Sequence, residues 1–333
     1  MARNALLSEK RYETIMRRQA GAVRWCDEYQ PAMRATRDEA PGRSRPSLAY
    51  WSKIGRDLHF MSLAERHVCL LALYHPGVFD VHEQHMLECG DAPHPLSQFP
   101  GSADPRVRAS RTRGTVRIAN ELGMLSRHPA VRIQSPGDQE DATILPFPYL
   151  ADLLIFLEDQ RGRYAVNWSV KARREDFYER GRCVQSPLSP QAVGEVEQTL
   201  LSKRHMLEQM YFQELGIPTS FIASGELDVQ LISNLNRLFA RAQRKLRLSF
   251  AQEEELILKL QRMVEARQSV LSCLEQLTCE LGCDRETVLD GFYKAVWERR
   301  VRIDLYRPVL VDKPLAPERT DVLADHLHLF QRA

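Results

Sequence analysis

Apolar positions first take on helical spacing at Ser62. Leu63, Val68, Leu70, Leu71 and Leu73 form one face, and His75–Pro76–Gly77 stops the run. Val78–Phe79–Asp80–Val81 then reads as a short strand. Tyr149–Leu157 is an apolar run of strand length with Leu-Ala-Asp-Leu-Leu-Ile-Phe at its centre, Glu158–Gly162 makes a turn, and Tyr164–Val170 returns as a second strand. Gln191–Leu215 has the pattern of a long amphipathic helix. Ile217–Ala223 is a further short strand, and Pro218 near its start marks it as an edge or entry position. Residues 226–299 are helical in pattern almost throughout, with short strands predicted at Val301–Leu305 and Val309–Val311.

These patterns divide the chain near residue 225. Residues 1–224 carry mixed strands and helices, an α/β class, and include a Pro-, Gly-, Ser- and Arg-rich stretch over 88–142. That stretch reads as an insertion with one helix near Gly114–Leu125. Residues 225–333 form helices followed by a small predicted hairpin, which suits a winged-helix-like unit. Residues 1–60 are basic, and Met33–Pro46 is loop-like with a turn signal at Pro41–Gly42.

Composition narrows the class only a little. The 333 residues have 44% hydrophobic and 27% charged content, with a formal net charge of +2. A nucleic-acid binder of this charge must concentrate its cations locally. Runs at Arg17–Arg18, Arg106–Arg113, Lys171–Arg174 and Arg241–Arg247 do so, although such runs are commonly solvated faces. No stretch has the apolar length of a membrane span, and Met1–Arg24 lacks the apolar centre of a signal peptide. Seven cysteines, an odd number, suit reduced thiols in a cytosolic protein.

Asp152 is the most informative residue. An ionised carboxylate inside an apolar strand is costly without a compensating partner. A hard divalent cation such as Mg²⁺ is one such partner, and an arginine is another. Lys171, at the end of the adjacent strand, can share that site, or it is an ordinary strand-end cation. Glu65 stands three residues after Ser62, the spacing of a capping box. A cap and a metal ligand are therefore both open for Glu65, and the two roles conflict.

His82-Glu83-Gln84-His85 lacks the spacing of a His-Glu-X-X-His zinc helix. Cys273, Cys279, Cys283, His326 and His328 lack a Cys-X-X-Cys pair, so core cysteines are the simpler account. Trp168 could stack on a base, although a strand-packed indole is the commoner fate.

At these residues a family resemblance emerges. Ser62–Gln84, with Glu65, Asp80, Glu83 and Gln84, resembles the first catalytic segment of TnsA, the endonuclease subunit of a two-part bacterial transposase. Gly42–Arg45 and Gly55–His59 resemble that family's upstream Gly-Arg elements. Asp152, Val170–Lys171 and Leu207–Ile222 fall where the family has its metal-binding Asp, its Gln-Val-Lys, and the helix and strand that follow. The resemblance covers most of residues 9–228 in ordered, gapped matches and continues weakly through Leu281–Leu305.

It implies a restriction-endonuclease-like core and a bacterial cytoplasmic enzyme that cleaves the 5′ ends of a transposon. It also implies Mg²⁺, or Mn²⁺ in its place, held by Glu65, Asp152 and the Val170 backbone carbonyl, with Lys171 as the third catalytic residue. The implied partners are transposon-end DNA, the DDE-type transposase TnsB, and the ATPase regulator TnsC docking on the C-terminal unit. One departure stands out: Ser169 occupies the position of the usual Gln or Glu, so the number of metal ions is open, and Glu175 or Glu208 could supply an oxygen instead. A stand-alone restriction or repair endonuclease and a catalytically degenerate assembly subunit are the alternatives.

Overall fold

The computed structural model describes residues 6–42, 44–102, 104–134, 142–179 and 201–332. Its chain order begins with α1 (Glu9–Gln19), the antiparallel pair β1 (Ser47–Trp51) and β2 (Arg56–Phe60), α2 (Leu63–Tyr74) and β3 (Val78–Leu87). The long hairpin β4 (Tyr149–Asp159) and β5 (Gly162–Lys171) follows, then α3 (Lys203–Glu214) and β6 (Thr219–Ala223). Four longer helices come next: α4 (Val229–Ala242), α5 (Phe250–Glu265), α6 (Leu274–Leu281) and α7 (Arg285–Trp297). Among the described residues no helix is long and apolar enough to cross a membrane.

A mixed four-stranded sheet, in the order β6-β5-β4-β3, forms the centre, with helices on both faces. The β6–β5 pair is parallel and the other two are antiparallel. Alternation along the hairpin separates the faces. Leu153, Ile155, Leu157, Val166, Trp168 and Val170 pack with α2, whereas Leu154, Phe156 and Ala165 pack with Leu207, Tyr211 and Phe212 of α3. β6 lies at the sheet edge, as Pro218 predicts.

α2 is buried nearly all round, from Val68 to Tyr74. Such a helix needs apolar neighbours on more than one side. It has the sheet on one side and α4 on the other, where Arg66 bonds Asn236 at 2.9 Å. One apolar cluster consequently runs from β1 across α2 and the sheet into the C-terminal helices. The chain end closes over it: the Trp168 indole N–H donates to Leu329 O at 2.9 Å, and the Tyr164 hydroxyl donates to Phe330 O at 3.0 Å. Trp168 is thus a packed indole.

Four sequence expectations are corrected. The strand predicted at Val78–Val81 continues to Leu87, because every residue of Val81–Gln84 is buried. The hairpin at Val301–Leu305 and Val309–Val311 does not form; only a single bridge, Ile303 to Pro317, is present there. Its main chain is satisfied differently: the Asn234 amide donates to Leu305 O and Arg307 O and accepts from Val309 N. Pro308, Pro314 and Pro317 also remove ladder donors. Cys279 is exposed, while Cys273 and Cys283 pack partly against the core. The predicted helix Gln191–Leu215 is observed as Lys203–Glu214; residues 191–200 and Arg43 lie outside the described residues.

A buried ionic network ties β2 to β3. Arg56 forks onto Glu83 at 2.7 and 3.0 Å, lies 3.9 Å from Asp80, and covers the Tyr29 ring. His59 N also donates to Glu83 at 3.0 Å, and Cys26 N donates to Asp80 at 2.7 Å. His82 stacks on Tyr29 with ring centroids 3.8 Å apart. Glu83 and Asp80 are fully buried, so removing their cation strands two charges. Arg56→Met should cost about 3–5 kcal/mol in denaturant unfolding. Arg56→Met combined with Glu83→Leu should be less destabilised than Arg56→Met alone, and equal or greater loss in the pair would contradict this account.

Candidate active site at a strand fork

The site begins where the β4–β5 ladder ends. Main-chain pairing runs from Asp159–Gly162 back to Leu153–Trp168 and then stops. Beyond it β4 stays paired with β3, while Val170 and Lys171 pair with Ile222 and Ala223 of β6. The two strands therefore diverge, and Asp152 stands in the fork. Its Oδ2 accepts from Val170 N at 2.7 Å, replacing the lost ladder bond, and lies 3.5 Å from Lys171 Nζ. Lys171 Nζ also donates to Val170 O at 2.9 Å. The partner of Asp152 is thus Lys171 rather than an arginine, and in this arrangement the Val170 carbonyl is engaged by the same ammonium.

Glu65 reaches the fork through Gln84. In the β3–β4 register Glu83 pairs with Leu153 and His85 with Ala151, which sets Gln84 opposite Asp152. Gln84 is left-handed, with φ of 51°, a conformation that costs about 1–2 kcal/mol outside glycine. Its carbonyl leaves the ladder to accept from Ala32 N and the Gln19 amide, and its own amide donates to Glu65 Oε2 at 3.1 Å.

The capping interaction is also real: Ser62 Oγ accepts from Glu65 N, and the Glu65 carboxylate turns back to accept from Met61 N and Ser62 Oγ, each at 2.9 Å. Glu65 therefore uses three of roughly four acceptor positions on these donors. Burial pushes its pKa up to about 7, with the charge of Asp152 adding to the effect. The cap and the contact with Gln84 thus converge on one side chain.

Glu208 is the residue that sequence reading underweighted. Asn167, Ser169 and Lys171 alternate onto the sheet face covered by α3. There Glu208 accepts from the Asn167 amide at 3.0 Å and from Ser169 Oγ at 3.3 Å. Burial raises its pKa; Arg204 opposes that shift and Asp152 adds to it. Asn167 and Ser169 are two polar positions in register within an apolar strand, the one local signal that this face holds a buried acceptor. Ser169 is committed to Glu208. Glu175 is exposed on the short turn after Lys171.

Glu65, Asp152 and Glu208 thus share one electrostatic neighbourhood with Lys171 and Arg204. Two of the three carboxyls are raised by burial and by the charge of Asp152, and the buried Asn167 Oδ1 beside Glu208 has no hydrogen-bond partner. A hard cation with oxygen ligands fits this donor set, since it would relieve the mutual repulsion. Among the described residues no group of three or more His, Cys, Asp or Glu converges tightly enough to hold a metal by itself. Main-chain, hydroxyl or amide oxygens would have to complete any coordination.

No protein-family model matches the chain, and no curated protein matches it.

The raised Glu65 carboxyl has a consequence for the metal-free protein. Its native pKa of about 7 exceeds the ordinary 4.5, so between those values the native state holds a proton that the unfolded chain releases. Stability from this group is present at low pH and is lost as pH rises through 7. Glu65→Gln should therefore match wild type near pH 5 and exceed it by on the order of 1–3 kcal/mol at pH 8, in chelator. A difference that stays flat with pH, measured by denaturant titration, would refute the assignment. Mg²⁺ should raise the melting temperature of wild type at pH 8 and leave that of Asp152→Ala unmoved.

Proposed function

We propose that the chain is a divalent-metal-dependent DNA endonuclease with Glu65, Asp152 and Lys171 as its working residues. The observation that carries this reading is the strand fork. Its geometry sets a carboxylate and an ammonium side by side where two strands part, with a second carboxylate brought up by Gln84. The mixed sheet with α2 and α3 on its faces suits a restriction-endonuclease-like core. The finer reading is a TnsA-type subunit that cleaves the 5′ ends of a transposon, beside a DDE-type transposase and an ATPase regulator. It rests on the ordered motif resemblance, in which the Gly55–His59 and Asp80–Gln84 elements are the two halves of the Arg56–Glu83 network. The C-terminal unit is read as a helical docking module; its winged-helix likeness lacks the two-stranded wing.

Asp152 and Glu65 would hold the cation, with Glu208 reinforcing the negative field from α3. Mg²⁺ or Mn²⁺, when bound, would supply Lewis-acid stabilisation of charge on the phosphate oxygens. Lys171, held at the fork by Asp152 and Val170 O, places a positive charge and N–H donors where the scissile phosphate and the attacking water meet. Hydrolysis would leave a 3′-hydroxyl and a 5′-phosphate. Gln84 fixes the Glu65 carboxylate toward the fork, and the α2 cap fixes its helix.

A second reading, a nuclease-fold assembly subunit without cleavage, is favoured by one observation. The Glu65 carboxylate already accepts from Met61 N, Ser62 Oγ and Gln84, and would have to release one of these donors to bind a metal.

Cleavage of a transposon-end duplex, by the chain alone and with its transposase partner, separates the two readings. Asp152→Ala should abolish strand cleavage while the chain stays folded, at a cost of about 1–3 kcal/mol for the Val170 N–H that loses its acceptor. Glu65→Gln should lose at least tenfold in rate, a change of about 1.4 kcal/mol. Full activity in Asp152→Ala with Mg²⁺ would sink the site, and full activity in Glu65→Gln would restrict Glu65 to its cap.

A further inference from the structure

The first turn of α3 carries Lys203, Arg204 and His205 and no acidic residue. Burial lowers the His205 pKa to about 4, so the cations there are Lys203 and Arg204, and they oppose the helix macrodipole at a local electrostatic cost. Lys203 is accounted for by its bond to Leu122 O, and His205 by Phe177 O.

Arg204 also has a main-chain partner, but a single bond uses only one of its five N–H donors. Its Nη2 donates to Leu150 O at 3.0 Å, on β4 two residues before Asp152. Glu208 lies one turn further along the same helix, and its carboxyl feels both Arg204 and Asp152. Arg204 is half-buried, and among the described residues it makes no salt bridge. Nearby Arg174, by contrast, is tied to Glu226 and Phe221 O. A guanidinium presents five N–H donors in a planar fork that matches a phosphate. With one N–H anchored to a main-chain carbonyl, the side chain is oriented and most of the fork stays available.

We infer that Arg204 binds a phosphate of the DNA strand beside the Asp152–Lys171 fork and so positions the scissile bond. Lys171 is held at the fork itself by Asp152 and Val170 O, so the task left to Arg204 is to hold the strand from the α3 side. The inference rests on the endonuclease reading, and it names the DNA backbone as the chemistry recognised from α3.

The test is a fluorescence-anisotropy titration of the full chain with a labelled duplex over a range of potassium chloride concentrations. Calcium replaces magnesium so that the duplex stays intact. Cleavage kinetics in magnesium are measured on the same proteins. Arg204→Gln should reduce the slope of log affinity against log salt by about one and raise KM about tenfold, with a smaller change in kcat. Arg204→Lys should restore the slope, because the charge returns, and leave KM above wild type, because the fork does not.

An unchanged slope in Arg204→Gln overturns the inference whether or not the wild type cleaves. If that variant fails to fold, a wild-type KM in Arg204→Lys overturns it equally. A reduced slope with no cleavage by wild type, alone or with its transposase partner, keeps the phosphate contact and overturns the endonuclease reading. No measurable DNA binding by wild type overturns both.

Discussion

The buried pairing of Arg56 with Glu83 is the constraint on which the candidate site depends. Two carboxylates, Asp80 and Glu83, sit on a strand whose residues from Val81 to Gln84 have almost no contact with solvent. Such charges persist only when geometry and additional donors satisfy them. Arg56 supplies the cation, and His59 N and Cys26 N supply further hydrogen bonds. With these contacts in place, β3 cannot slide against β2 without breaking several buried bonds at once. The next residue, Gln84, is then held in its left-handed turn opposite Asp152.

From that fixed point the fork follows. The β4–β5 ladder terminates at Leu153–Trp168, and the Asp152 side chain takes the main-chain donor that the missing bond leaves open. A ladder that continued one pair further would bring the strands together and close the space between Asp152 and Lys171. β6 contributes by drawing Val170 and Lys171 to the other side. α2 contributes by packing its apolar body between the sheet and α4, which leaves only its first turn, with Ser62 and Glu65, facing the fork. The same helix therefore belongs both to the core and to the candidate site: its interior residues set its position, and its first turn carries Glu65.

Electrostatics give the site its character. Glu65 and Glu208 approach Asp152 from α2 and α3, the helices on opposite faces of the sheet, and burial and the charge of Asp152 raise both. Lys171 and Arg204 offset part of this negative field. Clustered, buried carboxyls of this kind work against the fold, which makes the fork a candidate functional site.

Sequence alone determined the elements that depend on local pattern. The periodicity of Leu63–Leu73 marks α2, because side-chain direction repeats every 3.6 residues whatever the neighbours are, and the strand-length apolar runs on either side of the Glu158–Gly162 turn mark the central hairpin. The isolated charge of Asp152 in an apolar run marked the candidate site for the same reason: burial penalises it locally. Tertiary structure decided the rest. The full length of β3 depended on partners from β2 and β4, whose register no single segment encodes. The absence of a hairpin after α7 depended on Asn234, about seventy residues upstream, whose amide satisfies that main chain. Glu208 and Arg204 joined the site only because α3 packs against the sheet face that carries Asn167, Ser169 and Lys171. Contacts between residues far apart in sequence are set by packing and by the satisfaction of buried polar groups, and neither leaves a local period to read.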